Sequence, residues 1–116
     1  MPGSGLREPH RIGDLGVGKV GKMVNNLILW ACISANEQCM RLACLLGVDR
    51  ERLREVLLQN SADNWALLTR PEEQPMPWAE KDMMIVLAEA DSARVSLPLC
   101  GTVKEVIKGI KVERGE

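Results

Sequence analysis

The residues of this chain best suited to chemistry gather in one glycine-rich stretch, G-D-L-G-V-G-K-V-G-K-M-V-N-N, Gly13 to Asn26. Lys22 and Asn26 lie at i and i+4, so on a helix they share one face, with Asn25 beside them at i+3. Gly18 and Gly21 fall a turn or less before Lys22. They strip side chains from the adjoining surface, so that a flat ring or small substrate can approach the backbone closely. A lysine ammonium and a carboxamide on a bare patch make an acid/base and orienting pair for a small oxygenated substrate. The same residues also describe a solvated lysine at a helix start with two polar neighbours, which is the commoner fate of a charged face. The pattern alone leaves both readings open.

Two nucleotide-binding patterns overlap the same stretch, and both fail on context. Gly16, Gly18 and Gly21 spell G-x-G-x-x-G, which needs a buried strand just before its first glycine. Here H-R-I-G-D-L precedes it, with charges and a glycine where the strand should be. Glu37 sits at the distance expected of a ribose-binding acid, but within the same helical run rather than at the end of a second strand. Gly16, Gly21 and Lys22 spell most of a P-loop, yet Met23 stands where a magnesium-binding hydroxyl is required.

The elements that must carry these residues read as helices throughout. The chain has 116 residues, room for one domain with a modest core. Hydrophobic residues make up 46% but aromatic ones only 3%, so the core draws on Leu, Val, Ile, Met and Ala, a helix-friendly set. Met1 to Gly5 reads as a flexible start, within an N-terminal segment 1–11 that precedes the folded unit. From about Val17 to Leu46 nothing breaks a helix after its opening glycines, a length of about 45 Å at 1.5 Å per residue. Its middle, Leu27 to Ile33, is apolar on every side, which calls for enclosure by a partner domain or second subunit as well as by this chain.

Gly47 supplies a C-cap, and Asp49 an N-cap for a helix near Arg50 to Gln59 with Leu53, Val56 and Leu57 inward. A short helix from Ala62 to Leu68, capped by Ser61, is expected next. Pro71, Pro75 and Pro77 then make a loop. A helix from about Ala79 to Ala93 follows. Ser96 and Pro98 open a last one near Leu97 to Ile110, with Leu99, Val103, Val106 and Ile107 inward. The fold class is all-α, a bundle around one long central helix, spanning 12–110 with a tail at 111–116.

Fifteen basic residues against sixteen acidic ones offer no general attraction to nucleic acid or an anionic membrane. That balance disfavours a helical DNA-binding domain. Cys32, Cys39, Cys44 and Cys100 form no C-x-x-C pair and the single histidine, His10, is remote, so no zinc site is expected. The first three fall in the apolar helical run and read as reduced, buried thiols, which fits a cytoplasmic location. The longest apolar run, Leu27 to Ile33, is far short of the roughly 20 residues a bilayer span needs. No signal peptide is evident.

The glycine-rich stretch resembles the G-x-x-G-x-G-x-x-x-K-x-x-N-N motif of the β-hydroxyacid dehydrogenase family. That family includes 3-hydroxyisobutyrate dehydrogenase and is related to 6-phosphogluconate dehydrogenase. Gly13, Gly16, Gly18, Lys22, Asn25 and Asn26 all fall on the motif. Further on, A-E-K-D-M-M-I-V-L-A resembles the family's K-D-L-x-L-A helix, placing Lys81 and Asp82 on it. Between them E-Q-C-M-R-L-A-C-L-L-G-V-D resembles E-A-L-x-L-A-x-x-x-G-x-D, and V-S-L-P-L resembles the entry to a late helix.

The resemblance implies the C-terminal all-α domain of a two-domain enzyme using NAD or NADP, like the C-terminal domain of 6-phosphogluconate dehydrogenase. Lys22 would exchange a proton with the substrate oxygen as hydride moves. Asn26 would orient a small hydroxy acid, with Gly18 and Asn25 supporting that site. Lys81 would reach the cofactor, and Asp82 would fix the local helix geometry. The helical domain would build a homodimer. The stretch between Ser61 and Lys81 is shorter and richer in proline than the family pattern. The Rossmann domain and the serine-glycine-glycine segment that holds the substrate carboxylate in family members have no counterpart here. Alone, the chain would be inactive or nearly so, because hydride transfer needs the reacting atoms held about 3–3.5 Å apart. The competing reading is a stand-alone helical dimerisation module without catalysis.

Overall fold

The computed structural model describes residues 14–116; Gly13, His10 and the 1–11 segment lie outside the described residues. Five helices follow one another, α1 (Asp14–Leu45), α2 (Arg50–Leu57), α3 (Trp65–Thr69), α4 (Ala79–Ala93) and α5 (Pro98–Glu113), with no strand among the described residues. α1 runs unbroken through Gly16, Gly18 and Gly21. It stops where Gly47 turns to a φ of 88°. There the amide of Gly47 donates to the carbonyl of Cys44 at 3.0 Å, and that of Val48 to Ala43 at 2.9 Å. These two bonds form a Schellman closure, which needs the left-handed residue that glycine supplies without a Cβ penalty.

Caps set the remaining boundaries. Asp49 accepts from the amide of Arg52 at 3.1 Å and starts α2, as the sequence predicts. The expected Ala62 start of the third helix is displaced to Trp65, and its cap is Asn64 rather than Ser61. Asn64 accepts from the Leu67 amide at 3.2 Å, and its carboxamide forms a reciprocal 3.1 Å pair with Asn36 of α1. That tertiary pair fixes the cap at Asn64. α4 begins and ends at the predicted residues. α5 starts with Pro98 at its first position and no side-chain cap from Ser96, and it continues past Ile110 to Glu113.

α4 and α5 pack against each other and against the middle of α1. Ile33, Ala66, Met76, Ala79, Met83, Val86, Cys100, Val103 and Ile107 form the buried cluster, with Leu27, Leu29 and Trp30 against it. Methionine suits a core short of aromatic rings because its flexible thioether fills irregular gaps. Three expectations about inward faces change. Leu99 is 61% exposed and Cys100 faces inward in its place, beside Val103 and Ile107, which face inward as expected; on α2, Val56 is exposed where an inward position is expected. Cys39 and Cys44 are exposed and Cys32 half-buried, because α1 turns its Ile33–Met40 side to the core; Cys100 is the buried thiol.

A charged residue holds the underside. Arg54, only 5% exposed, donates to the carbonyl of Leu67 at 2.8 Å and pairs with Glu72 at 3.6 Å, joining α2 to α3 and the proline loop. The end of α5 grips the same loop. Arg114 donates to the carbonyls of Glu72 and Gln74, Glu116 accepts from the Met76 amide, and Lys111 pairs with Glu80 at 3.0 Å.

Candidate active site

Lys22 and Asn26 sit on one face of α1 where it meets the first turns of α4. A cleft of about 280 Å³ opens there, lined by Lys19, Lys22, Met23, Asn26, Asp82 and Ile85. The lining alternates by helix period, with Lys19, Lys22, Met23 and Asn26 one turn apart on α1, and Asp82 and Ile85 one turn apart on α4. Met23 and Ile85 are the apolar part of the lining, and Lys19, Lys22, Asn26 and Asp82 supply its polar atoms.

Asp82 joins the two motifs across 56 residues of sequence. Its Oδ2 accepts from Nδ2 of Asn26 at 3.3 Å and from the indole Nε1 of Trp30 at 3.1 Å. An ionised carboxylate only accepts, so these bonds assign the Asn26 carboxamide its orientation, with nitrogen toward Asp82 and oxygen away. Both side-chain bonds of Asp82 therefore go to α1. The helix-fixing role that the resemblance implies becomes a tie between two helices. Asn26 keeps one amide proton for another partner, and its carbonyl oxygen accepts from Asn25 at 3.4 Å.

Other expected site residues lie beside the cleft rather than in it. Asn25 faces a separate groove between α1 and α3 with Ile28, Leu29, Cys32, Asn64, Trp65 and Ala66. Lys81, one residue and about 100° around α4 from Asp82, is exposed, with its ammonium 5.7 Å from the centre of the Trp78 ring. Gly18 does not line the cleft; a Cβ built on Gly18 or Gly21 would meet no described atom outside its own stretch of helix within 4 Å. The motif reading missed Lys19 and Trp30. Both were accessible to helical spacing, at three residues before Lys22 and four after Asn26.

Among the described residues no group of three or more His, Cys, Asp or Glu side chains is placed to hold a metal ion. No described helix is long and apolar enough to cross a membrane. The described residues offer no glycine-rich strand–turn–helix for a pyrophosphate.

With that geometry in place, the class follows from comparison. The family described as "NAD-binding of NADP-dependent 3-hydroxyisobutyrate dehydrogenase" matches residues 16–116, nearly the whole described chain. The chain belongs to the β-hydroxyacid dehydrogenase family. A 3-hydroxyisobutyrate dehydrogenase of Pseudomonas aeruginosa is 33% identical over 109 residues, covering 80% of this chain and 37% of that protein. A 2-(hydroxymethyl)glutarate dehydrogenase of Eubacterium barkeri is 22% identical over 113 residues, covering 89% of this chain and 38% of the relative. An uncharacterised oxidoreductase of Shewanella frigidimarina is 23% identical, with 90% of this chain and 39% of the relative aligned. The chain thus spans under two fifths of the length of these relatives. No solved structure matches it.

Proposed function

We propose that the chain is the catalytic-lysine and substrate-orienting domain of an NAD(P)-dependent β-hydroxyacid dehydrogenase. It would act on a small hydroxy acid and its semialdehyde or keto acid, completed by a dinucleotide-binding domain outside this sequence. The supporting observation is the single cleft that holds Lys22 and Asn26 of the first motif against Asp82 of the second. Bound nicotinamide supplies or accepts the hydride. Lys22 gives its proton to the substrate oxygen during reduction and receives it during oxidation. Asn26, held by Asp82, uses its free amide proton to fix the same oxygen in line. Met23 and Ile85 add apolar lining beside these polar groups.

The glycines fit this reading. Glycine inside a helix costs about 1 kcal/mol relative to alanine, and none of the described residues crowds Gly18 or Gly21. The close approach they permit is therefore made from outside, by the cofactor ring or the domain carrying it. Exposed Val17, Val20, Val24 and Ile28 form a stripe on α1 that such a domain or a second subunit would cover. Lys81 beside Trp78 would meet the cofactor at the rim. The whole helical unit, from about residue 12, would also carry the homodimer contact.

Lys22→Ala tests the assignment in a protein where a dinucleotide-binding domain precedes this chain. Hydride transfer followed by nicotinamide absorbance should fall by about 10²–10⁴-fold, the range lost with a general acid–base group, while cofactor binding persists. An unchanged rate would remove Lys22 from the chemistry.

A further inference from the structure

The cleft carries one more charge than this mechanism uses. All six lysines of the chain are described, and four are engaged. Lys111 pairs with Glu80 at 3.0 Å, Lys104 and Lys108 pair with Glu105 at 3.6 and 2.7 Å, and Lys81 lies over Trp78. Lys81 has that ring but no ion pair; the other two without an ion-pair partner among the described residues, Lys19 and Lys22, line the same cleft. Asp82 is the cleft's acid and balances one of them, and its Oδ2 is occupied by Asn26 and Trp30. A full positive charge remains beside the apolar lining of Met23 and Ile85, where attraction for an anion is stronger than in open water.

We propose that the cleft takes a substrate with two anionic groups, and that Lys19 answers the second one, a carboxylate or a phosphate. This rests on the reading that places Lys22 on the reacting oxygen. The substrate's first carboxylate is then met by donors outside this chain, and Lys19 is the cation left over. Three residues along α1 rise about 4.5 Å, so the two ammonium groups can contact opposite ends of a short carbon chain. Lysine is a point charge on a flexible stem and does not select carboxylate over phosphate by shape as a planar guanidinium would, so both anions stay within the proposal.

The test uses the isotope-labelled chain, titrated with glutarate, pentanoate and inorganic phosphate while amide and lysine side-chain resonances are followed. Glutarate and pentanoate have the same carbon count and differ by one carboxylate. Glutarate should bind roughly three-fold tighter, the size of one exposed charge contact, with shifts at both Lys19 and Lys22. Lys19→Gln should abolish the preference, whereas Lys108→Gln, which removes the same charge elsewhere, should leave it. A Lys19-dependent response to phosphate stronger than that to glutarate supports the proposal and assigns the anion as phosphate. Equal binding of glutarate and pentanoate, with shifts at Lys22 and Asn26, overturns the role of Lys19 and leaves Lys22 in place. A glutarate preference that survives Lys19→Gln does the same. No shift at Lys22 or Asn26 with any probe overturns this proposal together with the site on which it rests.

Discussion

The bond from Trp30 to Asp82 can be measured without any enzyme activity. Asp82 accepts from two neutral donors, Trp30 at 3.1 Å and Asn26 at 3.3 Å, in a partly buried setting. Hydrogen bonds to a charged group contribute about 1.5–3 kcal/mol when well formed. These two are near the long end of the N–H···O range, and water reaches the cleft. About 1 kcal/mol for the Trp30 bond and about half that for Asn26 follow. Asp82→Ala should therefore destabilise the chain by about 1.5–2 kcal/mol. Trp30→Phe keeps a ring against the core and should cost about 1 kcal/mol. If the bond exists, the two losses overlap, and the double variant should be less destabilised than their sum by about 1 kcal/mol.

Urea unfolding of the four proteins gives that coupling directly, and each kcal/mol should lower Tm by roughly 5 °C for a domain of this size. The indole proton of Trp30 offers a second reading, since its resonance should move upfield in Asp82→Ala while those of exposed Trp65 and Trp78 stay put. A coupling within about 0.3 kcal/mol of zero, with no movement of the Trp30 resonance, would refute the tie between α1 and α4. The orientation assigned to Asn26 would fall with it.

Two further predictions concern the rest of the surface and core. Cys39 and Cys44 should react with a maleimide within minutes and Cys32 more slowly, while Cys100, fully buried with its thiol pushed up by that burial, should react only in denaturant; mass spectrometry of timed samples would expose any early labelling of Cys100. Hydrogen bonds from Arg70 hold the Glu51 carboxyl, and those from Arg41 the Glu113 carboxyl, below the ordinary carboxylate range. Folded values below unfolded ones mean stability that is present above the unfolded carboxylate pKa and lost as pH falls through the folded one. Glu51→Gln and Glu113→Gln should each flatten the acid limb of a urea-stability series slightly, since both pairs are exposed and screened by salt. A steeper limb would contradict the sign.

Local signals carried much of this fold into the sequence. Gly47, Asp49 and Pro98 act through their own backbone geometry, so α1, α2 and α5 end or start where those residues stand. Asn64 became a cap through its pair with Asn36, and Arg54 was buried by a carbonyl of α3. Neither is visible within a helical window, because the partner lies on another element. The site divides the same way. Lys22 and Asn26 share a face by spacing alone, but Asp82 enters only once α4 crosses α1. The same crossing, at about 100° per residue, turns Lys81 and Asn25 away from the cleft although each adjoins a residue inside it.

The position of the cleft along α1 bears on what completes it. At 1.5 Å per residue the 32-residue helix is about 48 Å long, close to the 52 Å longest dimension of the molecule. Among the residues whose burial is described, Met23 is the first of α1 to pack against the core, and Lys19 and Lys22 lie on the turns before it. Those turns contain Gly16, Gly18 and Gly21 and expose Val17, Val20 and Val24 by 61, 40 and 49%. A glycine-containing helical end is marginal without packing, whereas burying a valine fully contributes about 1.5–3 kcal/mol. On the proposed reading, a second body that covers the valine stripe also steadies the helix that carries Lys22. Docking and the positioning of the acid–base group are then one event. Substitutions at Val17 or Val20 should accordingly lower kcat of the completed enzyme although neither side chain lines the cleft.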